Sequence, residues 1–250
     1  MNINPTIAIT GANGKIGSNL TEELRKLNLN FIKLNQLELI DETAIELNLD
    51  GRHIDTIIDL GWDTKNRGTL FQNKCARKSI NLSKYCHKNN IKYIFLSSYA
   101  AINPKKSQYG IAKKFVELQL NKDMTAMRAP FVISSKDIEL NHSENLDGRK
   151  VFVPYIVIGD LVKAIVDQLP SDVLNKTINL DYKAIELKEV YPVIKIFRIF
   201  NYVTSISIVI FFLSPFKKIG LIGNTLDRLY GLTEVDQMLK NPSGVFRDKL

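Results

Sequence analysis

Apolar and polar positions follow two rhythms along the first two thirds of the chain. The short apolar run Thr6-Ile7-Ala8-Ile9-Thr10 passes into a glycine-rich turn, after which Ile16, Leu20, Leu24 and Leu27 recur at helical spacing. That is a strand, a turn and an amphipathic helix. Further strands are read at FIKLN (31–35), IDTIIDL (54–60) and YIFLSS (93–98), with an amphipathic helix from Leu70 to Lys88 between the last two. TAMRAPFVI (125–133) reads as another strand, IGDLVKAIVDQL (158–169) as a helix and KTINL (176–180) as a late strand. Short apolar strands alternating with helices predict an α/β fold with a doubly wound parallel sheet, Rossmann-like, because such strands are covered on both faces. Residues 1–180 are expected to form a dinucleotide-binding domain. Residues 181–250, where the pattern changes, are expected to form a small region over the sheet's ligand edge.

Composition narrows the class. With 250 residues, 45% hydrophobic and 24% charged, the chain has the make-up of a globular protein with one sizeable core. A formal charge of +8 suits an anionic ligand, a membrane surface or nucleic acid. The basic residues are scattered, with no zinc-ligand spacing or aromatic RNA-binding box, so nucleic acid is set aside. Cys75 and Cys86 are too few for a disulfide framework and have no CxxC spacing, which fits a reducing compartment. The opening MNINPTIAIT enters an apolar strand directly, without the blocks of an export signal, and a cytoplasmic location is expected. From Ile199 to Phe216 no residue is charged, and Arg198, Lys217 and Lys218 flank the stretch. Its length is near the lower limit for a spanning helix. Its polar residues and the β-branched centre ISIVIFF (206–212) favour a buried strand instead, leaving peripheral membrane contact open.

Three constellations carry chemistry. In Thr10-Gly11-Ala12-Asn13-Gly14-Lys15-Ile16-Gly17 the glycines stand where a tight turn, a close pyrophosphate approach and close helix packing exclude a side chain. The helix that follows offers its N-terminal amides to phosphate. About twenty positions on, where a dinucleotide site has an acid for the adenosine ribose, this chain has Asn35, followed by Gln36. NAD and NADP therefore both stay open. Tyr109 and Lys113, four apart in SQYGIAKKFVEL, share one helix face, where an ammonium favours the phenolate and lets tyrosine trade a proton with a carbonyl or alcohol oxygen. Ser97-Ser98 ends the strand before them, on the edge where such sheets bind ligands. His53, His87 and His142 have no metal-ligand spacing, and no metal is expected.

Taken together, TGANGKIG and YGIAK resemble the TGxxGxxG and YxxxK of the extended short-chain dehydrogenase/reductases, specifically the NAD-dependent epimerase/dehydratase group acting on nucleotide sugars. The resemblance implies Ser98 as the catalytic serine, Tyr109 as the acid/base, Lys113 as its partner and a ribose contact, and Asn73 as the asparagine supporting that lysine. It implies cofactor contacts from the glycine turn (Gly11, Asn13, Gly14, Lys15, Ile16 and Gly17), from Asn35, Glu38 and Leu39 near the adenosine, from Leu60 and Gly61 in DLGW, and from Pro130 near the nicotinamide. The tail LDRLYGLTEVDQMLKNP is similar to the end of short members in bacterial surface-polysaccharide pathways. There are departures: Asn35 replaces the usual acid, and only ten residues separate Ser98 from Tyr109. Arginine contacts to a nucleotide diphosphate have only Arg149, Arg228 and Arg247 as candidates. Tyr99 and Ala100 follow Ser98 where a dehydratase carries an acid and a glutamate, which disfavours dehydration. The expected function is NAD(P)-dependent reduction of a 4-keto nucleotide sugar for a surface polysaccharide. The alternatives are 4-epimerisation of a nucleotide sugar and a non-catalytic dinucleotide sensor; a homodimer is also open.

Overall fold

The computed structural model describes residues 6–34, 41–49, 51–134, 152–170, 176–186, 210, 213–216 and 220–240. Six parallel strands form the main sheet: β1 (Thr6–Thr10), β2 (Asn30–Leu34), β3 (Thr56–Asp59), β4 (Lys92–Ser98), β5 (Met124–Ala129) and β8 (Lys176–Asn179). Their spatial order is β2-β1-β3-β4-β5-β8. The chain leaves β1 for one side to build β2 and returns to the other side for β3. The carboxyl ends of β1 and β3 therefore flank a topological switch, the place where open α/β sheets bind ligands.

Two apolar layers account for the continuous apolar look of the strands. Ala8, Ile57, Tyr93, Phe95 and Ala126 point to one face, with Ile45 of α2 (Glu42–Leu49), Leu82 of α3 (Thr69–Lys88) and Val116 of α4 (Gln108–Gln119). Ile7, Ile9, Ile58, Ile94 and Met127 point to the other, with Leu20 and Leu24 of α1 (Lys15–Lys26) and Leu161 and Ile165 of α5 (Ile158–Asp167). The sheet is doubly wound.

TAMRAPFVI, expected as one strand, is two. Pro130 has no amide hydrogen to donate to a ladder. The chain turns there, from β5 in the main sheet to β6 (Phe131–Ile133) in a second sheet of order β6-β7-β9, with β7 at Phe152–Val157 and β9 at Lys183–Glu186. A long helix, α6 (Gly220–Lys240), packs against β7, α4 and the 3-10 turn Tyr99–Ala101. Among the described residues no helix is long and apolar enough to cross a membrane. The segment ISIVIFF lies, apart from Ile210, outside the described residues.

Candidate active site

The glycine turn is shaped by backbone contact. Gly11 has φ +66°, and a Cβ there would stand 2.9 Å from the Cα of Gly61. A Cβ on Gly17 would run into the carbonyl of Gly11. The amide of Gly14 donates to Gly11 O at 2.9 Å, closing the turn into α1. No side chain caps α1 at Gly14, and its first turn holds no acidic residue. The positive end of the helix is thus left for an anion, as a bound pyrophosphate requires. Asn13, exposed in the turn, accepts a 3.1 Å hydrogen bond from Lys33 Nζ on β2. The neighbouring expectations Asn35, Glu38 and Leu39 fall outside the described residues.

Beneath the turn lies a buried polar cluster centred on Asp59. It accepts from Thr10 Oγ1 at 2.5 Å, Ser79 Oγ at 2.6 Å and Tyr93 OH at 2.8 Å, and pairs with Lys78 Nζ at 3.4 Å. The same lysine donates to the carbonyl of Gly61, whose amide donates to Thr10 Oγ1 at 2.8 Å. Leu60-Gly61 is thereby fixed beside the glycine turn. Burial pushes the Asp59 carboxyl up, but Lys78 and the hydroxyl donors outweigh it and hold it down at about 2.

At the carboxyl end of β4, α4 presents Tyr109 to Ser98. Gly110 makes this possible, because a Cβ there would collide with the carbonyl of Ala100. Ser98 hydrogen-bonds the Tyr109 phenol, and its Oγ accepts from the amide of Ala100 at 3.3 Å. Burial pushes the phenol above its ordinary value, against the pull of Arg67 and the Ser98 hydrogen bond. Lys113 is buried, donates to Leu96 O at 2.6 Å, and lies 3.9 Å from the ring centre of Trp62 and 4.4 Å from that of Phe95. Burial pushes it down to about 7, against the pull of the Asp59 carboxylate.

A cleft of about 580 Å³ joins these parts. Of the residues expected from sequence, Lys15, Ile16, Leu60, Ser98, Tyr109, Lys113 and Pro130 all line it. The second sheet contributes Val153 and Pro154, and α6 contributes Asn224, Arg228 and Leu232. Among the described residues lining the cleft none is a carboxylate. Asn73 is a different case: it is exposed on α3, and the Lys113 ammonium is held by the Leu96 carbonyl and the Trp62 and Phe95 rings. The helical register explains this, since the buried face of α3 runs through Gln72, Ala76, Ser79, Ser83 and Cys86, and Asn73, one residue past Gln72, is turned about 100° from it. Sequence reading also missed Arg67, whose guanidinium carbon is 4.3 Å from the Tyr109 ring centre, and Asp227 of α6, which pairs with it at 3.4 Å. Arg67 stands outside any motif, and Asp227 lies in the tail LDRLYGLTEVDQMLKNP, whose resemblance gave it no role.

The family model for the NAD dependent epimerase/dehydratase family matches residues 7–131, half of the 250-residue chain. The chain belongs to this family. Its cofactor is accordingly a nicotinamide dinucleotide, NAD or NADP, and the uncapped glycine turn fits that group. A comparison with curated protein sequences finds no match. Solved structures similar to this family member include UDP-glucose 4-epimerase from Thermotoga maritima with UDP-glucose, at 17% identity and TM-score 0.60, covering 76% of this chain and 81% of that one. UDP-glucose 4-epimerase from Thermus thermophilus with NAD is also similar, at 17% identity and TM-score 0.60, with 74% and 80% covered. So is dTDP-4-dehydrorhamnose reductase from Bacillus anthracis with NADP, at 14% identity and TM-score 0.62, with 80% and 82% covered. At these identities the likeness is one of fold.

Proposed function

We propose that this family member reduces a 4-keto nucleotide sugar, with Tyr109 as proton donor, Ser98 as hydrogen-bond donor to the carbonyl oxygen, and Lys113 serving both the tyrosine and the cofactor ribose. The bound dinucleotide would supply hydride to the carbonyl carbon, held by the glycine turn and by Leu60, Gly61 and Pro130. One observation carries the reading: Ser98, Tyr109 and Lys113 line one cleft with Leu60 and Pro130, and the buried Tyr109 phenol is neutral there, with a proton to give. The carbonyl oxygen takes that proton as the carbon takes hydride, and the phenolate left behind lies beside Arg67. The absence of a carboxylate among the described lining residues supports reduction or epimerisation over dehydration, which needs an acid beside the serine.

The nucleotide-sugar class rests on the sequence resemblance, and two structural relatives act on or are crystallised with such compounds: a UDP-glucose epimerase and a dTDP-sugar reductase. The cleft supports a division of labour in which residues 1–180 hold cofactor and the region 181–250, through α6, faces substrate. A cytoplasmic role in surface-polysaccharide synthesis belongs to the same proposal.

A second reading is 4-epimerisation, favoured by the likeness of fold to the 4-epimerases. It uses the same side chains but begins by taking a proton. Incubation of the purified protein with NADH or NADPH and a panel of nucleotide 4-keto sugars separates the two. One-for-one depletion of reduced cofactor with product supports reduction; conversion of a UDP-hexose on catalytic NAD without net depletion selects epimerisation. Tight cofactor binding with no turnover of any candidate would leave a dinucleotide sensor.

A further inference from the structure

We infer that Arg67 is a positioning residue of the proton-transfer site: its guanidinium, stacked on Tyr109 and tied to Asp227, is the standing positive charge that orients the ring and stabilises its phenolate. The inference rests on Tyr109 as the proton donor proposed above.

Four contacts fix Arg67. Its guanidinium carbon lies 4.3 Å from the Tyr109 ring centre, Nη1 pairs with Asp227 Oδ2 at 3.4 Å, Nε donates to Thr64 O at 3.4 Å, and its own amide donates to Asn224 Oδ1 at 2.7 Å. The side chain is only 16% exposed, so solvent screens it weakly. A cation at this distance attracts the quadrupole of a neutral phenol, but it attracts a phenolate much more strongly, because the ring system then carries a whole negative charge. The difference favours proton release.

Lys113, the cation that the YxxxK motif supplies, stands farther from the ring, so Arg67 adds to it there. Its ammonium is 5.8 Å from the Tyr109 ring centre, points at the Leu96 carbonyl and the Trp62 face, and burial brings it down to about 7. A guanidinium, by contrast, keeps its proton throughout the neutral range. The other groups facing Tyr109 are Asp227 of α6 and Cys75 of α3, which both push the phenol up, and Ser98 of β4, whose hydrogen bond pulls it down. Asp227 thus tempers Arg67 while anchoring it.

The test reads Tyr109 directly. Near-ultraviolet phenolate absorbance is titrated in the wild type and in Tyr109→Phe, and the difference gives the midpoint of Tyr109. The same subtraction is made in the background of each further variant. Arg67→Met is expected to raise that midpoint by about one to three pH units, the usual effect of losing an opposite charge at this distance. Arg67→Lys, which keeps the charge but not the planar stack, should move it less. Asp227→Asn should move it in the opposite direction, downward, because Arg67 is then left untempered. A purely structural role for Arg67 would not produce shifts of opposite sign from the two halves of one ion pair. Equal midpoints in wild type and Arg67→Met overturn the inference, as does an unchanged or raised midpoint in Asp227→Asn, which decides the matter if Arg67→Met fails to fold. No substrate enters the measurement, so a failure to find turnover counts against the proposed function and leaves this result standing.

Discussion

Gly11 and Gly61 touch through their backbones, with 2.9 Å between the place of a Cβ on the first and the Cα of the second. The contact joins the cofactor turn to the segment that the Asp59 and Lys78 pair holds from below. It also separates two kinds of glycine in one motif. Gly11 and Gly17 are required by the fold, whereas at Gly14 a Cβ meets only the Gly11 carbonyl, at 3.2 Å.

Gly14→Val is therefore expected to fold, losing about 1 kcal/mol as a poorer helix N-cap, and to lose dinucleotide binding because its methyls stand where pyrophosphate approaches. Gly17→Val should fail to fold. Calorimetry showing ordinary NAD(P) affinity in folded Gly14→Val would refute the phosphate role of the turn.

Tyr109→Phe removes the transferable proton and leaves the ring in its contacts with Trp62 and Arg67. Turnover should fall by a factor of about 100 or more, with cofactor affinity nearly intact. Lys113→Ala should damage both. Wild-type rates in the first variant, or unchanged cofactor affinity in the second, would contradict the roles proposed for these residues.

Asp59 makes stability depend on acid. Its carboxyl sits at about 2 in the fold against an ordinary value of 3.8, so it contributes stability that is fully present above about pH 4 and is lost as the pH falls toward 2. The size is about 2 kcal/mol. Urea melts of the wild type should show this loss. Asp59→Asn, which leaves the Lys78 ammonium buried without its partner, should be less stable at neutral pH and lose less on acidification. A variant with an unchanged acid profile would remove Asp59 from the account.

Asn73→Ala separates resemblance from register. Because Asn73 is exposed on α3, stability should change by no more than about 0.5 kcal/mol and turnover should not change. A large fall in turnover would restore the support of Lys113 that the family resemblance implies.

Much of the fold was legible because its strands are short apolar runs set between helical periods, and Ile7 to Ile9 or Tyr93 to Leu96 leave little else to be read. The break at Pro130 was not read, because the apolar residues on both sides of it run on as one strand, although a proline cannot continue a ladder. Motif residues such as Ser98, Tyr109 and Lys113 were legible because local spacing sets them on one edge. Arg67 and Asp227 were not, since they are 160 residues apart and meet only through the packing of α6. Nor was α2, whose eight residues bury just Ile45 and Leu49 and carry a weak period.

The N-terminus of α4 is completed from far along the chain. Ser107 caps it locally through the Gly110 amide at 3.2 Å, while the Gln108 amide donates to Asp227, 119 residues later. During synthesis, then, the glycine turn and β1 to β4 leave the ribosome long before the residue that secures the tyrosine helix. On the roles proposed for the glycine turn and Tyr109, a growing chain would complete its cofactor turn first and secure its proton donor only once α6 has emerged.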